Sequence, residues 1–201
     1  MPKSQLSKYY ELLLQYEKEE RVALVDHWPV DLRNKIIDAI SNAILISKLK
    51  ERDCQLIKES TNQSIGNQIA KYTKNKLAKN INNNFYIKEC KGPGYPDYTL
   101  IDISRKNRIP FEFKATTSSN LNDTNRIVLT SSSKKLRQQF KKPIYHLILT
   151  SKYKINSNNW IANIYEIRLD FLEPTTTVNI RLEGSVNKKI LNEGSHHQSI
   201  L

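Results

Sequence analysis

The chain has 201 residues, of which 38% are hydrophobic, and lysine plus arginine outnumber aspartate plus glutamate by 32 to 20. This amount of apolar material is enough for one core but not for two. No segment approaches the ~18 uninterrupted apolar residues of a membrane span, and Met1 leads into a polar segment rather than a signal peptide. The net charge of +12 favours a polyanionic partner, most often nucleic acid, with ordinary solubility as the alternative explanation.

The isolated cysteines and histidines argue against a disulfide framework or a zinc site. The two cysteines, Cys54 and Cys90, have no CxxC spacing, which predicts reduced thiols and a cytoplasmic location. The four histidines form no cluster with them at the spacing of zinc ligands. Any metal that the chain binds is therefore expected to have oxygen ligands.

The first 60 residues are predicted to form an N-terminal helical extension. Apolar residues recur at helical spacing from Leu6 to Leu14 and again from Leu32 to Leu45. Asp31 is a candidate cap for the second pattern. We therefore predict helices from residue 3 to about 58, and a domain over residues 1–60 that could act as a dimerisation arm.

Residues 61–201 are predicted to form an α+β core with a C-terminal strand extension. The elements, in chain order, are a helix from 61 to 79, a strand at 85–87, paired strands at 98–103 and 109–114, a basic helix at 134–142, and strands at 144–149 and 160–171. The strand at 144–149 is almost continuously apolar, which is typical of a strand buried on both faces. Because a crossover helix precedes it, it should lie parallel to the strand that ends at Lys114. The expected fold is a mixed sheet with a helix on each side.

Three ionisable residues are expected to converge at one end of the paired strands. Glu112 and Lys114 are two residues apart in a strand and so share a face, whereas Phe111 and Phe113 point to the other face, into the core. The polar turn near residues 104–107 brings Asp97, at the start of the preceding strand, opposite them. The alternative is a surface hairpin with an ordinary Glu112–Lys114 ion pair, but the interleaved phenylalanines need a buried face behind it.

This grouping suits the hydrolysis of a phosphodiester. The carboxylates of Asp97 and Glu112, with the Phe113 carbonyl as a further candidate, are hard oxygen ligands of the kind that Mg²⁺ prefers. A bound Mg²⁺ would lower the pKa of a water ligand and neutralise charge on the phosphate. Lys114 would orient or deprotonate the attacking water, or stabilise the oxyanion.

The chain thus contains Pro96-Asp97 and then Glu112-Phe113-Lys114, with fourteen residues between the two acids. This pattern resembles the motif of the PD-(D/E)xK nucleases, among them the type II restriction endonucleases. The resemblance covers roughly residues 61–150, where the predicted elements follow that family's αβββαβ order. It implies a restriction-endonuclease-like fold, a Mg²⁺ cofactor and double-stranded DNA as the substrate.

The same resemblance implies a further acidic residue from the helix that precedes the first strand. That helix carries no aspartate or glutamate between Ser60 and Lys79. Glu59, at its very start, is the candidate catalytic acid, and Gln68, deeper in the helix, is the alternative. A site without either residue is the third possibility, so the number of metal ions stays open.

Two segments after the motif carry candidate DNA contacts. The loop at 116–126 offers side chains that suit the edges of bases, and the serine-led basic segment at 131–142 suits phosphates. A plain flexible loop and a solvated helix face are the respective alternatives. The candidate DNA-binding residues are Asn120, Asn122, Asn125, Arg126, Ser132, Ser133, Lys134, Lys135, Arg137 and Gln138.

These observations predict a type II restriction endonuclease that cuts double-stranded DNA at a specific short sequence and depends on Mg²⁺. It should act as a homodimer, because one active site per chain needs two copies to cut both strands of a palindrome. No P-loop motif is present, so no nucleotide cofactor is expected. No membrane partner is expected either, because no apolar segment is long enough to span a bilayer. The alternatives are another PD-(D/E)xK nuclease, such as a Holliday-junction resolvase, a repair nuclease or a homing nuclease, and a DNA-binding module without catalysis.

Overall fold

A computed structural model of the chain describes residues 3–5, 26–58, 60–91, 96–117, 145–156, 158–173, 177–179 and 196–200. For residues 3–5, 177–179 and 196–199 it describes the backbone alone. The helices are α1, Val30–Ser47, and α2, Asn62–Asn80. The strands are β1 (Lys3–Gln5), β2 (Cys54–Gln55), β3 (Phe85–Glu89), β4 (Tyr98–Asp102), β5 (Asn107–Thr116), β6 (His146–Asn156), β7 (Ile161–Leu172), β8 (Thr177–Asn179) and β9 (His196–Ser199).

The main sheet is mixed, which confirms the predicted α+β class. Its strand order is β2-β7-β6-β5-β4-β3, and β9 also pairs with β7. The β5–β6 pair is parallel, as the crossover rule predicted, and the other pairs are antiparallel. Residues 118–144, which connect β5 to β6, lie outside the described part of the chain, and the predicted basic helix at 134–142 lies there with them.

The β4–β5 hairpin sets the register of the candidate site. Its turn is held by the buried Asp102, whose Oδ1 accepts hydrogen bonds from Ser104 Oγ at 2.7 Å and from the Arg105 amide at 3.2 Å. Lys106 completes the turn in the left-handed region, at φ 54°. Arg105 also pairs with Asp31 at the start of α1, so the hairpin is joined to the N-terminal helix.

Helix α2 covers one face of the sheet. It begins after Thr61, whose side chain accepts a hydrogen bond from the Ser64 amide at 3.3 Å, as a capping residue does. Its buried side chains recur every fourth residue, and they are Ile65, Ile69, Thr73 and Leu77. The hydroxyls of Thr73 and Ser151 lie 3.0 Å apart in the buried contact between α2 and β6. Neither α1 nor α2 combines the length and the apolar character that crossing a membrane requires.

The N-terminal region is helical only in part. Helix α1 confirms the predicted pattern from Leu32 to Leu45 and ends at Lys48, which adopts a left-handed φ of 51°. The prediction of helix over the rest of residues 3–58 is wrong at two places, because β1 pairs with β8 and β2 pairs with β7. Both strands are short and pair with segments that are distant in the sequence. Local periodicity carries no signal for such pairing. The division of the chain at residue 60 stays a prediction.

Candidate active site

The two faces of β5 differ in chemistry. Phe111 and Phe113 are buried on the side that α2 covers, and their ring centroids lie 4.4 Å apart. Tyr98 of β4 packs edge-on against Phe113, at 5.4 Å between centroids. These contacts confirm that the phenylalanines point into the core. Glu112 and Lys114, at the alternate positions, therefore share the other face, which we call the site face.

Asp97, Glu112 and Lys114 lie together on the site face. Tyr98 is paired with Phe111, so continuation of the register sets Asp97 opposite Glu112. The Asp97 amide donates to Glu112 Oε2 at 3.3 Å, and Lys114 Nζ lies 3.0 Å from Glu112 Oε1. Asp97 is exposed, whereas Glu112 is only 6% exposed. The hairpin thus brings one exposed carboxylate, one buried carboxylate and one ammonium group to the same place.

The buried Glu112 carboxyl has an unfavourable environment for its charge. Burial, the largest effect, raises its pKa above the ordinary value, and the neighbouring Asp97 carboxylate raises it further. The Lys114 ammonium works against both effects through its charge and its hydrogen bond. An additional cation beside Asp97 and Glu112 would stabilise the ionised form for the same electrostatic reason.

The donor set fits a hard divalent cation such as Mg²⁺. Two carboxylates from adjacent strands match the one or two protein carboxylates that Mg²⁺ uses while it keeps several waters. No group of three or more His, Cys, Asp and Glu side chains with metal-binding geometry occurs within the described ranges. The protein side chains at this site would therefore leave most coordination positions to water, substrate or backbone oxygen.

The proline of the motif removes a backbone donor at the same place. The Asp97 carbonyl accepts from the Cys90 amide at 2.8 Å, toward β3, so strand alternation turns the Tyr98 backbone groups toward β5. The backbone N–H and C=O groups of Phe111 and Phe113 then point toward β4. Continuation of the register sets Pro96 opposite Phe113, and proline has no N–H to donate. The Phe113 carbonyl is therefore directed toward the Asp97 side of the site without a ladder donor from Pro96.

Gln68 has a structural role in the described contacts. Its Oε1 accepts from the Ile57 amide at 2.8 Å, and its Nε2 donates to Ser60 Oγ at 3.0 Å and to Ser64 Oγ at 3.2 Å. The side chain thus ties the segment before α2 to the first turns of that helix. Glu59, the favoured fourth acid, lies outside the described residues.

The predicted DNA contacts also fall outside the described part of the chain, in the segment 118–144. They stay predictions, and they are Asn120, Asn122, Asn125, Arg126, Ser132, Ser133, Lys134, Lys135, Arg137 and Gln138.

The site face continues across β6 and β7 with polar residues that the sequence analysis did not single out. Lys114 is paired with Thr150, and Thr150 with Arg168. Arg168 Nε lies 2.8 Å from Oδ1 of the fully buried Asp170. The Thr150 hydroxyl is buried and has no hydrogen-bond partner among the described residues. The sequence signal for this polar row was the presence of polar residues at alternate positions of an apolar strand. It was missed because the predicted strand ended at residue 149.

Comparisons with known proteins show a distant structural similarity. No family model matches the sequence, and no curated protein matches it. Among solved structures, the chain is similar to the crystal structure of the restriction endonuclease BglI bound to its DNA recognition sequence. The identity is 10%, the TM-score is 0.37, and the match covers 97% of this chain and 90% of that chain. A similarity at this level carries no functional argument, so the assignment of function rests on the geometry of the site.

Proposed function

We propose that the chain is a Mg²⁺-dependent nuclease that hydrolyses phosphodiester bonds of double-stranded DNA. The observation that carries the proposal is the convergence of Asp97, Glu112 and Lys114, with Lys114 Nζ 3.0 Å from Glu112 Oε1 and the Asp97 amide 3.3 Å from Glu112 Oε2. The finer proposal is a type II restriction endonuclease that cuts at a specific short sequence. The net charge of +12 supports a polyanionic substrate.

Each residue has a distinct task in the proposed reaction. Asp97 and Glu112 would hold the cation through their carboxylates, with the Phe113 carbonyl as a third oxygen. Magnesium, when bound, supplies positive charge that activates water and neutralises the phosphate. Lys114 would orient the attacking water or stabilise the negative charge that develops on the phosphate oxygens. The contact with Glu112 holds the ammonium group near that position before substrate arrives.

The burial of Glu112 argues against a merely structural ion pair. Exposed pairs on a hairpin surface need no desolvation, whereas Glu112 is 6% exposed and has a raised pKa. A charge that is costly to bury is typical of a site that uses it. For the same reason we favour catalysis over the alternative of a DNA-binding module that lacks it.

The experiment is to incubate the purified protein with phage DNA, with Mg²⁺ or with EDTA, beside the variants Asp97→Ala and Lys114→Ala. The matched control is Glu89→Ala/Lys91→Ala, because these residues have the same acid-x-Lys spacing but Glu89 is paired with Tyr98 and faces the other side of the sheet. We expect discrete fragments that need Mg²⁺ and that the control variant still produces. Removal of the Asp97 carboxylate or of the Lys114 ammonium group should lower the cleavage rate roughly 10²-fold or more.

Three other outcomes would change the proposal. A Mg²⁺-dependent smear would keep the nuclease and remove the sequence specificity. Intact phage DNA together with cleavage of a branched substrate would favour a junction resolvase. Binding without cleavage of either substrate would contradict the nuclease proposal and favour the DNA-binding module.

A further inference from the structure

Three large side chains on the site face of the hairpin region point to solvent. Pairing of β3 with β4 and of β4 with β5 aligns Tyr86 with Ile101 and Arg108, and Lys88 with Thr99 and Pro110. Cross-strand partners share a face of a sheet, and alternation relates these rows to the row of Asp97 and Glu112.

The three side chains are one tyrosine and two cations. Tyr86 is 45% exposed, and Lys88 and Arg108 are exposed as well. The side chains therefore form a surface beside the candidate active site rather than a part of the core. We call the residues Tyr86, Lys88 and Arg108 the basic platform.

Cations outnumber acids by three to two among the described charged side chains on this part of the site face. On the site face of β3, β4 and β5, the cations are Lys88, Arg108 and Lys114, and the acids are Asp97 and Glu112. Both acids belong to the candidate metal site. The neighbouring acids Glu89 and Asp102 occupy alternate positions and therefore belong to the opposite face.

The spacing of the platform suits an extended polyanion. At about 3.4 Å per strand residue, the Lys88 row lies about 7 Å from the Asp97 row, and the row of Tyr86 and Arg108 lies about 14 Å from it. A DNA strand rises about 3.4 Å per nucleotide, so these distances correspond to about two and four nucleotides from the scissile position.

We propose that the basic platform binds the phosphate backbone of double-stranded DNA next to the cleavage position. The inference rests on the proposed nuclease function and assigns DNA contacts that lie outside segment 118–144. Lys88 and Arg108 supply the charge, and the Tyr86 hydroxyl donates to a phosphate oxygen, as tyrosines at protein–DNA interfaces do. The simpler explanation is that Lys88 protects the exposed edge strand β3 from pairing with another chain. That role makes no demand on DNA affinity.

The test is equilibrium binding of a short fluorescein-labelled duplex of arbitrary sequence, in EDTA, followed by fluorescence anisotropy over a range of salt concentrations. The variants are Lys88→Ala/Arg108→Ala and Tyr86→Phe. The charge-matched control is Lys35→Ala/Lys50→Ala, which removes two exposed lysines in and just after α1. Thermal melting of each variant checks that the fold is kept.

Loss of two phosphate contacts should reduce the slope of log affinity against log salt by about 1.8 and weaken binding roughly 60-fold at 0.1 M salt. Tyr86→Phe should weaken binding while leaving the salt slope unchanged. An affinity and slope equal to those of the Lys35→Ala/Lys50→Ala control would overturn the inference, even with full cleavage by the wild type. If the platform variants bind DNA more weakly but the wild-type protein cuts no DNA, the platform proposal is supported and the nuclease proposal is rejected.

Discussion

At the scale of single residues, Glu112 carries the largest electrostatic cost of the candidate site. Its carboxylate is 6% exposed and lies beside Asp97, and the Lys114 ammonium at 3.0 Å offsets part of this cost. A partly offset buried charge is unfavourable for folding but leaves a negative group available to a bound cation. The geometry that supports the proposed function is thus also a local source of instability.

Removing Lys114 alone should destabilise the protein more than removing the whole pair. Lys114→Met leaves the Glu112 charge buried without its partner and should lower the free energy of unfolding by about 3 kcal/mol. The double variant Glu112→Gln/Lys114→Met should recover most of this loss, since no buried charge remains. Urea unfolding in EDTA measures both values, and the single variant Glu112→Gln completes the double-mutant cycle.

The ion pair between Lys152 and Glu166 provides the comparison for this cycle. Its atoms lie 2.7 Å apart, but the Glu166 side chain is 29% exposed. Lys152→Met should therefore cost at most about 1 kcal/mol. An equal loss for Lys114→Met and Lys152→Met would mean that the burial of Glu112 has no energetic consequence.

The buried Cys54 thiol is expected to make the folded protein less stable in alkaline solution. Burial raises the pKa of its thiol from 9.0 to about 11. The unfolded chain therefore ionises this thiol first, so stability that is present below pH 9 is lost as the pH rises toward about 11. Denaturant unfolding across this range should show a flatter decline for Cys54→Ala than for the wild type. Cys90→Ala, which leaves Cys54 in place, is the matched cysteine variant for this comparison.

At the scale of elements, α2 connects the N-terminal region to the strand that carries the candidate site. Gln68 ties its first turns to residues 57 and 60, and Thr73 contacts Ser151 of β6. Gly66 lies on the side of α2 that faces β5, close to the end of that strand. The packing of this helix therefore stabilises the segment of β5 that contains Phe113 and Lys114.

Gly66 is expected to be replaceable by alanine with a gain in stability. A β-carbon there would lie 3.8 Å from the Ala115 carbonyl oxygen, which is an ordinary van der Waals contact. Since glycine is disfavoured within a helix, Gly66→Ala should raise the free energy of unfolding by about 1 kcal/mol. Ala70→Gly, one turn later, should lower it by a similar amount. A lower melting temperature for Gly66→Ala would show that α2 and β5 cannot accept a methyl group between them.

At the scale of the whole molecule, the candidate site is a product of the strand order. β5 lies between β4 and β6, so one face holds Asp97 just before β4, Glu112 and Lys114 of β5, and Thr150 of β6. Arg168 of β7 extends the same row. The parallel β5–β6 pair needs a long connection, and in the chain this connection includes residues 118–144, which lie outside the described ranges.

The proposed homodimer predicts the form of the cleavage products. Each chain supplies one set of Asp97, Glu112 and Lys114, so a dimer can cut both strands of a palindrome in one encounter. Supercoiled plasmid should then become linear without accumulation of the nicked circle, and light scattering should give the mass of two chains. An excess of Lys114→Ala protein mixed with the wild type should cause nicked circles to accumulate. Nicking by a species with the mass of one chain would contradict the dimer.

Local patterns in the sequence determined the elements that position the candidate site. Alternation at 111–114 predicted which side chains enter the core, and the turn at 104–107 predicted that Asp97 lies opposite Glu112. Helical spacing predicted α1 and most of α2, and the crossover rule predicted the parallel strand β6. These features depend on neighbours within a few residues or on a chain connection, so the sequence carries them directly.

The tertiary structure alone decided which distant segments join the sheet and complete the site face. The strand at Cys54–Gln55, the pairing of β1 with β8, and the row from Lys114 through Thr150 to Arg168 all join residues far apart in the chain. The tertiary structure also decided the role of Gln68, whose amide holds the segment before α2. Periodicity reports how a side chain lies about its own element, but strand pairing and burial depend on the partner that the fold supplies.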